Sequence, residues 1–325
     1  MCIAMNELPL VSVVTPSFNQ ARFLEETMLS VLHQDYPCLE YLVIDGGSKD
    51  GSTDIIQKYK HRLDYWVSER DNGQSHAINK GWQRSQGEIL AYLNSDDTYQ
   101  PGAVLKAARA LMTNPDWAMV YGDCGIIDEN GKLIDMWGAQ SFDLKSLLYN
   151  CRIGQPTVFV RRSVLDCVEM MDESFFMAMD YDLWTRIGLR YSIGYLPGEH
   201  LANYRVHQSA KSSAHALRFT EENERVIRRT LADPHLPFPP KKVENRAIGA
   251  LYFRHSAMLI SHGCQDEARP WFWRALRLYP GVAKMYVRNR QFLWTFVSVL
   301  LGTRGVELAV RLKHSLRKFS QGSLV

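Results

Sequence analysis

Over its first hundred residues the chain alternates between two hydrophobic periods, and this alternation limits the available folds more than any other feature. Residues 10–14, 41–44, 63–67 and 89–93 are short apolar runs, as in strands covered on both faces. Between them, residues 21–33, 51–59 and 74–84 space their apolar side chains as helices do, the first through Phe23, Leu24, Met28, Val31 and Leu32. Ser52 and Thr53 mark the start of the second. Strand–helix–strand alternation with short polar joints predicts an α/β fold, a mostly parallel Rossmann-like sheet with helices on both faces. Ligands of such sheets bind beyond the carboxyl ends of the strands. The residues directly after each strand are therefore the ones to read.

Four successive strand ends are rich in chemistry. Thr15, Ser17 and Asn19 follow the first strand, and Asp45, Gly46, Gly47, Ser48 and Asp50 the second. Glu69, Asp71 and Gly73 follow the third, and Asn94, Ser95, Asp96 and Asp97 the fourth. One acidic strand end is ordinary turn chemistry; four on one rim read as a site. The glycines form no standard nucleotide fingerprint. Ser52 stands where a phosphate-binding loop carries lysine, and no Gly-x-Gly-x-x-Gly follows the first strand. The hydroxyls and amide of the first loop suit a base or ribose better than a bare triphosphate. Asp96 and Asp97 are adjacent carboxylates that repel each other unless a cation lies between them. Hard oxygen ligands suit Mg2+ or Mn2+, which commonly hold phosphate oxygens as well. The structural alternative is that Asp97 caps a helix beginning near Pro101.

Charge is unevenly spread. The whole chain carries a net +3, yet residues 281–325 hold eight Lys or Arg against Glu307 alone, so the first 280 residues are net negative by four. An acidic body argues against a nucleic-acid-binding core. The opening MCIAMNELPL lacks the basic-then-apolar order of a signal peptide, and the six cysteines show no Cys-x-x-Cys pair. The most apolar stretch is confined to the thirteen residues between Arg290 and Arg304, whereas a spanning helix needs about twenty. These features together predict a cytoplasmic protein with reduced thiols.

Seven blocks in sequence then carry a family resemblance: VSVVTPSFNQ, EYLVIDGGSKDGSTDII, SERDNGQSHAINKG, GEILAYLNSDDTYQPGA, IGQPTVFVRRSVL, MDYDLWTRIG and YRVHQSAKS. The series resembles the inverting family 2 glycosyltransferases of the GT-A fold and covers residues 10 to about 215. The resemblance implies a sugar nucleotide lying across the strand ends. Thr15, Ser17 and Asn19 would line the base and ribose pocket, and Asp45 would accept hydrogen bonds from the base or ribose. Asp71 and Asn79 would be further nucleotide-side contacts, a purely structural role for Asn79 being equally open. The family's metal motif, usually Asp-x-Asp, begins here with Asn94, which leaves Asp96 as the first metal ligand and Asp97 as the second. His207 falls where relatives place a further metal ligand, with Lys211 and Ser212 near the diphosphate. Asp180 corresponds to the general base, although relatives often have Glu-Asp where this chain has Met179-Asp180. Asp180 and Asp182 as simple helix-start carboxylates are the bland reading.

The resemblance further implies a divalent cofactor, Mn2+ or Mg2+, and a UDP- or dTDP-sugar donor. The acceptor would be a saccharide or lipid-linked saccharide in cell-surface polysaccharide or glycolipid synthesis. The Gln-x-x-Arg-Trp signature of processive synthases is absent, DLWTR standing in its place, so one sugar is transferred at a time. Two alternatives differ in class. Sugar-nucleotide synthesis would want a glycine-rich loop with arginine after the first strand, which TPSFNQ is not. A non-catalytic scaffold is motivated by Asn94 and by the helical C-terminal third.

That third begins near residue 219, giving two expected domains, 1–218 and 219–325. Residues 220–231 form a charged helix and PHLPFPP a rigid linker. Residues 249–280 resemble one tetratricopeptide-like helical pair through Tyr252, Gly263, Ala268, Phe272, Ala275 and Pro280. Residues 306–319 form a basic amphipathic helix whose leucine face suits an anionic membrane surface, the protein body or a second subunit of a homodimer.

Overall fold

The structure, a computed structural model, describes residues 8–207, 211, 216–287 and 293–302. The chain divides into two compact units, Met1–Leu147 with Cys151–Ser213, and Leu148–Asn150 with Ala214–Val325. The second unit thus begins a few residues before 219 and takes in a short segment far back in the sequence.

The first unit is built on β1 (Val11–Ser17), β2 (Leu39–Asp45), β3 (Tyr65–Ser68) and β4 (Ile89–Tyr92), followed by β5 (Thr98–Tyr99), β6 (Trp117–Ile127), β7 (Leu133–Trp137), β8 (Phe159–Arg161) and β9 (Ser192–Arg205). Its helices are α1 (Ala21–Leu32), α2 (Ser52–Tyr59), α3 (Gln74–Arg84), α4 (Ala103–Thr113), α5 (Leu144–Tyr149, whose last two residues are counted with the second unit), α6 (Arg162–Val168) and α7 (Met179–Gly188). Among the described residues the strands form one sheet in the order β3-β2-β1-β4-β8-β6-β9-β5, with β7 added beside β6. The first four strands are mutually parallel, as the alternation predicts. β8 runs antiparallel to both β4 and β6, and β6 and β9 are again parallel.

Two-residue periodicity sorts the strands onto two faces. Val11, Val13, Tyr41, Val43, Ile89 and Ala91 join Leu24, Met28 and Val31 of α1, Ile56 of α2 and Ala103–Leu111 of α4 in one core. On the opposite face α3 lies against the sheet, where Trp82 donates to Ala91 O at 3.2 Å and packs edge-on against Tyr92. A Cβ on Gly81 would come within 2.4 Å of the Val14 side chain, so this close helix–strand approach needs glycine. The expected cap at Ser52 is made differently. Gly51 adopts φ 98°, and the Asp50 carboxylate accepts Ser52 N and Oγ while also accepting Ala21 N at the start of α1. Burial pushes Asp50 up, but these hydrogen bonds prevail and hold it below the usual aspartate range.

In the second unit, α8 (Ala216–Leu231) precedes α9 (Glu244–Ser261), α10 (Gln265–Leu278) and α11 (Val282–Val287), with a further helix over 293–302. The helical pair expected around residues 249–280 is α9 and α10, turned by Gly263 at φ 80°. Phe253, Ile260, Ala268, Phe272, Ala275, Val282 and Val299 form their core. No helix among the described residues is long and apolar enough to cross a membrane. The proposed amphipathic helix at 306–319 lies outside the described residues, as does Ser212.

Candidate active site

The carboxyl ends of β2 and β3 are tied together by one carboxylate. Asp45 accepts Gly47 N, Ser48 N and Ser68 Oγ on one oxygen and Ser48 Oγ on the other, at 2.6–3.0 Å. It has no exposed surface. Where the sequence suggests a base or ribose contact, the Asp45 oxygens face four internal donors and brace the rim. Asn19, at φ 52°, bonds Ser48 Oγ through its backbone N–H and accepts Lys49 N on its side chain, locking the first loop to the second. Thr15 is buried against the Tyr41 hydroxyl at 3.0 Å, a bond within the sheet and not at its rim.

Three groups at these strand ends have polar or aromatic surface not committed to the frame. Ser17 Oγ is buried without a hydrogen-bond partner, a state that costs stability unless a ligand supplies one. Phe18 is 61% exposed beside it. Asp71 accepts Gly73 N with one oxygen, and a Cβ on Gly46 would lie 2.8 Å from its other oxygen and 3.2 Å from Phe18. Gly46 thus leaves a slot bordered by an aromatic face and a carboxylate.

The acidic segment after β4 splits into two unlike residues. Asp97 is fully buried; one oxygen accepts Arg205 N at 2.9 Å and the other lies 3.3 Å from Asn94 Nδ2. Burial, followed by the neighbouring Asp96 charge, drives its carboxyl well above the usual range. The capping role expected of Asp97 fails on this geometry, since α4 starts after Gly102 with no side-chain cap. Each of its oxygens lies beside an internal donor. Asp96 is the outward member. His207 Nε2 lies 3.0 Å from Asp96 Oδ2, bringing together groups 111 positions apart. Arg205, itself 1% exposed, donates to Asp96 O, to Asp128 O and to Glu26. The Phe23 ring lies between, with His207 at 4.7 Å and the Arg205 guanidinium at 5.1 Å.

The Asp96–His207 pair could hold a small hard cation through a hard oxygen and an imidazole nitrogen. Among the described residues no cluster of three or more His, Cys, Asp or Glu could hold a metal.

Asp180 opens α7 and accepts Tyr181 N at 2.7 Å. Burial raises its carboxyl above the ordinary range, and the Lys211 charge opposes that rise. Its neighbour Asp182 is a different case, fully buried in a salt bridge to Arg186 at 2.8 Å. Arg186 also donates to the carbonyls of Val168, Glu169 and Met170. Asn79 fixes the next part of the same loop. Its Nδ2 donates to Met171 O and Glu173 Oε1, and its Oδ1 accepts Met171 N, at 2.9–3.0 Å. Of the two roles open to Asn79 in the sequence, these bonds are the structural one.

A chain of amides joins the two halves of the site. Lys211 Nζ donates to Gln74 Oε1 at 2.9 Å and lies 3.9 Å from the centre of the Phe176 ring. Gln74 Nε2 donates to Asn94 Oδ1 at 2.6 Å, and Asn94 Nδ2 donates to Gln155 Oε1 at 3.0 Å. Asn94 therefore serves as a two-way amide link where an aspartate could only accept. Gln74, Gln155, Arg205 and Phe18 were not singled out in the sequence. Each stands inside a block that carries the family resemblance, which is the only signal that pointed to them.

The comparisons with known proteins bear on family and fold. The model of glycosyl transferase family 2 matches residues 12–168. The putative teichuronic acid biosynthesis glycosyltransferase TuaG of Bacillus subtilis is 30% identical over 64% of this chain and 83% of its own length. The UDP-Glc:alpha-D-GlcNAc-diphosphoundecaprenol beta-1,3-glucosyltransferase WfgD of Escherichia coli is 29% identical over 63% of this chain and 80% of its own. Among solved structures, the mannosyltransferase PcManGT of Pyrobaculum calidifontis, in complex with GDP-Man and Mn2+, superposes with a TM-score of 0.60 at 19% identity, covering 91% of this chain and 88% of that one. Residues 1–349 of S. aureus TarS with UDP-GlcNAc give 0.58 at 18%, covering 86% and 92%. The curled, mostly parallel sheet flanked by helices is the GT-A fold that the resemblance implies. On the strength of the family match and these relatives, the chain belongs to glycosyltransferase family 2.

Proposed function

We propose that this enzyme transfers one sugar from a UDP- or dTDP-sugar to an acceptor hydroxyl with inversion at the anomeric carbon. The acceptor is a saccharide or lipid-linked saccharide of a cell-surface polysaccharide or glycolipid. TuaG is named for teichuronic acid biosynthesis, and WfgD for a diphosphoundecaprenol-linked acceptor. The observation that carries the reading is the pairing of two unlike sites on one rim. Asp180 is a carboxyl whose surroundings favour taking up a proton, and Asp96 with His207 is a donor pair suited to a cation beside a diphosphate.

In the transfer the acceptor oxygen forms a bond to the anomeric carbon while the bond from that carbon to the phosphate oxygen breaks. The hydroxyl proton passes to Asp180 and the electron pair leaves with the diphosphate. Mg2+ or Mn2+, held by Asp96 and His207, would offset charge on that leaving group. Lys211, oriented by Gln74, adds a second positive charge. Phe18, Ser17 and Asp71 line the base and ribose end of the donor.

A donor-hydrolysis assay across UDP-, dTDP- and GDP-sugars, with and without manganese, tests the proposal. Asp96→Ala and Asp180→Asn should each abolish most turnover. Intact turnover in both variants would overturn the site assignment.

A further inference from the structure

The helix over residues 293–302 is amphipathic in an inverted sense. Leu293, Trp294, Val297, Leu300 and Leu301 are exposed, from 37% at Val297 to 62% at Leu293, while Thr295 and Ser298 are buried. At about 100° per residue the five exposed side chains fall within a stripe roughly 120° wide. Val299 and Phe296 face the core of the second unit, packed with Phe272, and Arg269 donates to Val299 O at 3.0 and 3.2 Å. The helix is therefore docked by its other side, and the stripe of leucine, valine and tryptophan is left to solvent. Five adjacent large apolar side chains on one exposed face mark a surface that meets something less polar than water.

We propose that this face lies on the surface of an anionic phospholipid bilayer. Charge selects that occupant. Across residues 281–325 eight Lys or Arg stand against Glu307 alone, with Arg288 and Arg290 before the stripe in sequence and Arg304 directly after it. Placing two copies face to face would bring two such positive segments together, whereas anionic headgroups neutralise them. Length selects the mode. The apolar stretch between Arg290 and Arg304 is thirteen residues, at about 1.5 Å per helical residue too short for a hydrocarbon core of about 30 Å, so the face lies in the interface plane with its apolar side chains inserted and flanking cations at the headgroups. Trp294 suits that boundary, having an apolar ring and one polar N–H. The proposal concerns a surface of the second unit and stands apart from the donor reading.

The test is co-sedimentation of the full chain with phosphatidylcholine vesicles, with and without phosphatidylglycerol, at low and high salt. Sedimentation velocity without lipid runs alongside. The wild type should bind only the anionic vesicles and release as salt rises. The triple variant L293S/W294S/L301S, altered only at exposed positions, should bind at least about tenfold more weakly. Its circular dichroism and its donor hydrolysis in solution should match the wild type. Equal vesicle binding by the triple variant, or none by the wild type, would overturn the proposal. So would a wild-type dimer that the triple substitution converts to monomer with no lipid binding by either form. Loss of donor hydrolysis in both proteins with vesicle binding intact would count against the donor reading alone.

Discussion

Replacing Asn79 with alanine separates holding the site from touching the nucleotide. Asn79 is 7% exposed and spends its amide on Met171 N, Met171 O and Glu173 Oε1. Alanine would leave the N–H and C=O of Met171, a 4% exposed residue, without partners. Each orphaned buried group costs about 1–3 kcal/mol, so the pair costs about 2–6 kcal/mol. Glu173 is exposed and returns to water at little cost. For a unit of this size the loss lowers the unfolding midpoint by roughly 4–24 °C. The loop from Met171 leads into α7 and Asp180, so a looser loop misplaces the base, and misplacement on that scale costs about ten- to a hundredfold in rate. Nucleotide affinity should not follow. Thermal unfolding, donor-hydrolysis kinetics and calorimetric titration with UDP measure the three quantities. Asn79→Asp serves as a control: it keeps an acceptor for Met171 N but surrenders both donors beside Glu173, and should be no more stable than the alanine variant. An unchanged midpoint together with weakened UDP binding would refute the structural role.

Other perturbations give different signatures. Because burial raises the Asp180 carboxyl, the acid limb of the turnover–pH profile should lie above the ordinary aspartate range. The stability that this raised value contributes is full below the unfolded-state pKa and is lost as pH rises through the folded-state value. Asp180→Asn, which keeps an acceptor for Tyr181 N, should therefore be inactive yet at least as stable as wild type near pH 8, as read by denaturant titration. Gly46→Ala would set a Cβ 2.8 Å from an Asp71 oxygen and 3.2 Å from Phe18; UDP affinity should fall about tenfold, on the scale of one lost contact, with little change in unfolding. Calorimetry showing an unaltered Kd would remove that slot from the donor site. Gln74→Ala removes one partner from Lys211 and one from Asn94, and donor KM should rise several-fold with kcat and midpoint nearly unchanged; identical kinetics would show that the amide chain is idle.

The sheet was legible because its strands are short apolar runs that no helix period explains, and β1, β2 and β4 lie within a few residues of where those runs place them. The antiparallel insertion of β8 was not legible. Phe159–Arg161 is three residues long, too short for a period to show. In the site, Asp45, Asp96 and Asp97 look alike as acids after strands, and burial alone separates them. That burial comes from partners far along the chain. Arg205 reaches Asp97 across 108 positions and Gln155 reaches Asn94 across 61, so no local pattern could distinguish the inward carboxylate from the outward one. Asp182 and Asp180 repeat the lesson within one helical turn. The acid paired to Arg186 is fixed in a salt bridge, while burial raises the carboxyl of its neighbour.

Asp45 also bears on how donor preference in this enzyme can be redesigned. Since one hidden carboxylate sets the register of the Gly47–Ser48 turn and the end of β3 together, randomising it would scramble several loops at once and yield mostly misfolded clones. Phe18, Lys49 and Arg70 are solvent-facing residues on the same loops, and can be diversified without disturbing that register. A mutant library confined to those three positions, with Asp45, Ser48 and Ser68 held constant, explores base selectivity on a frame that stays put.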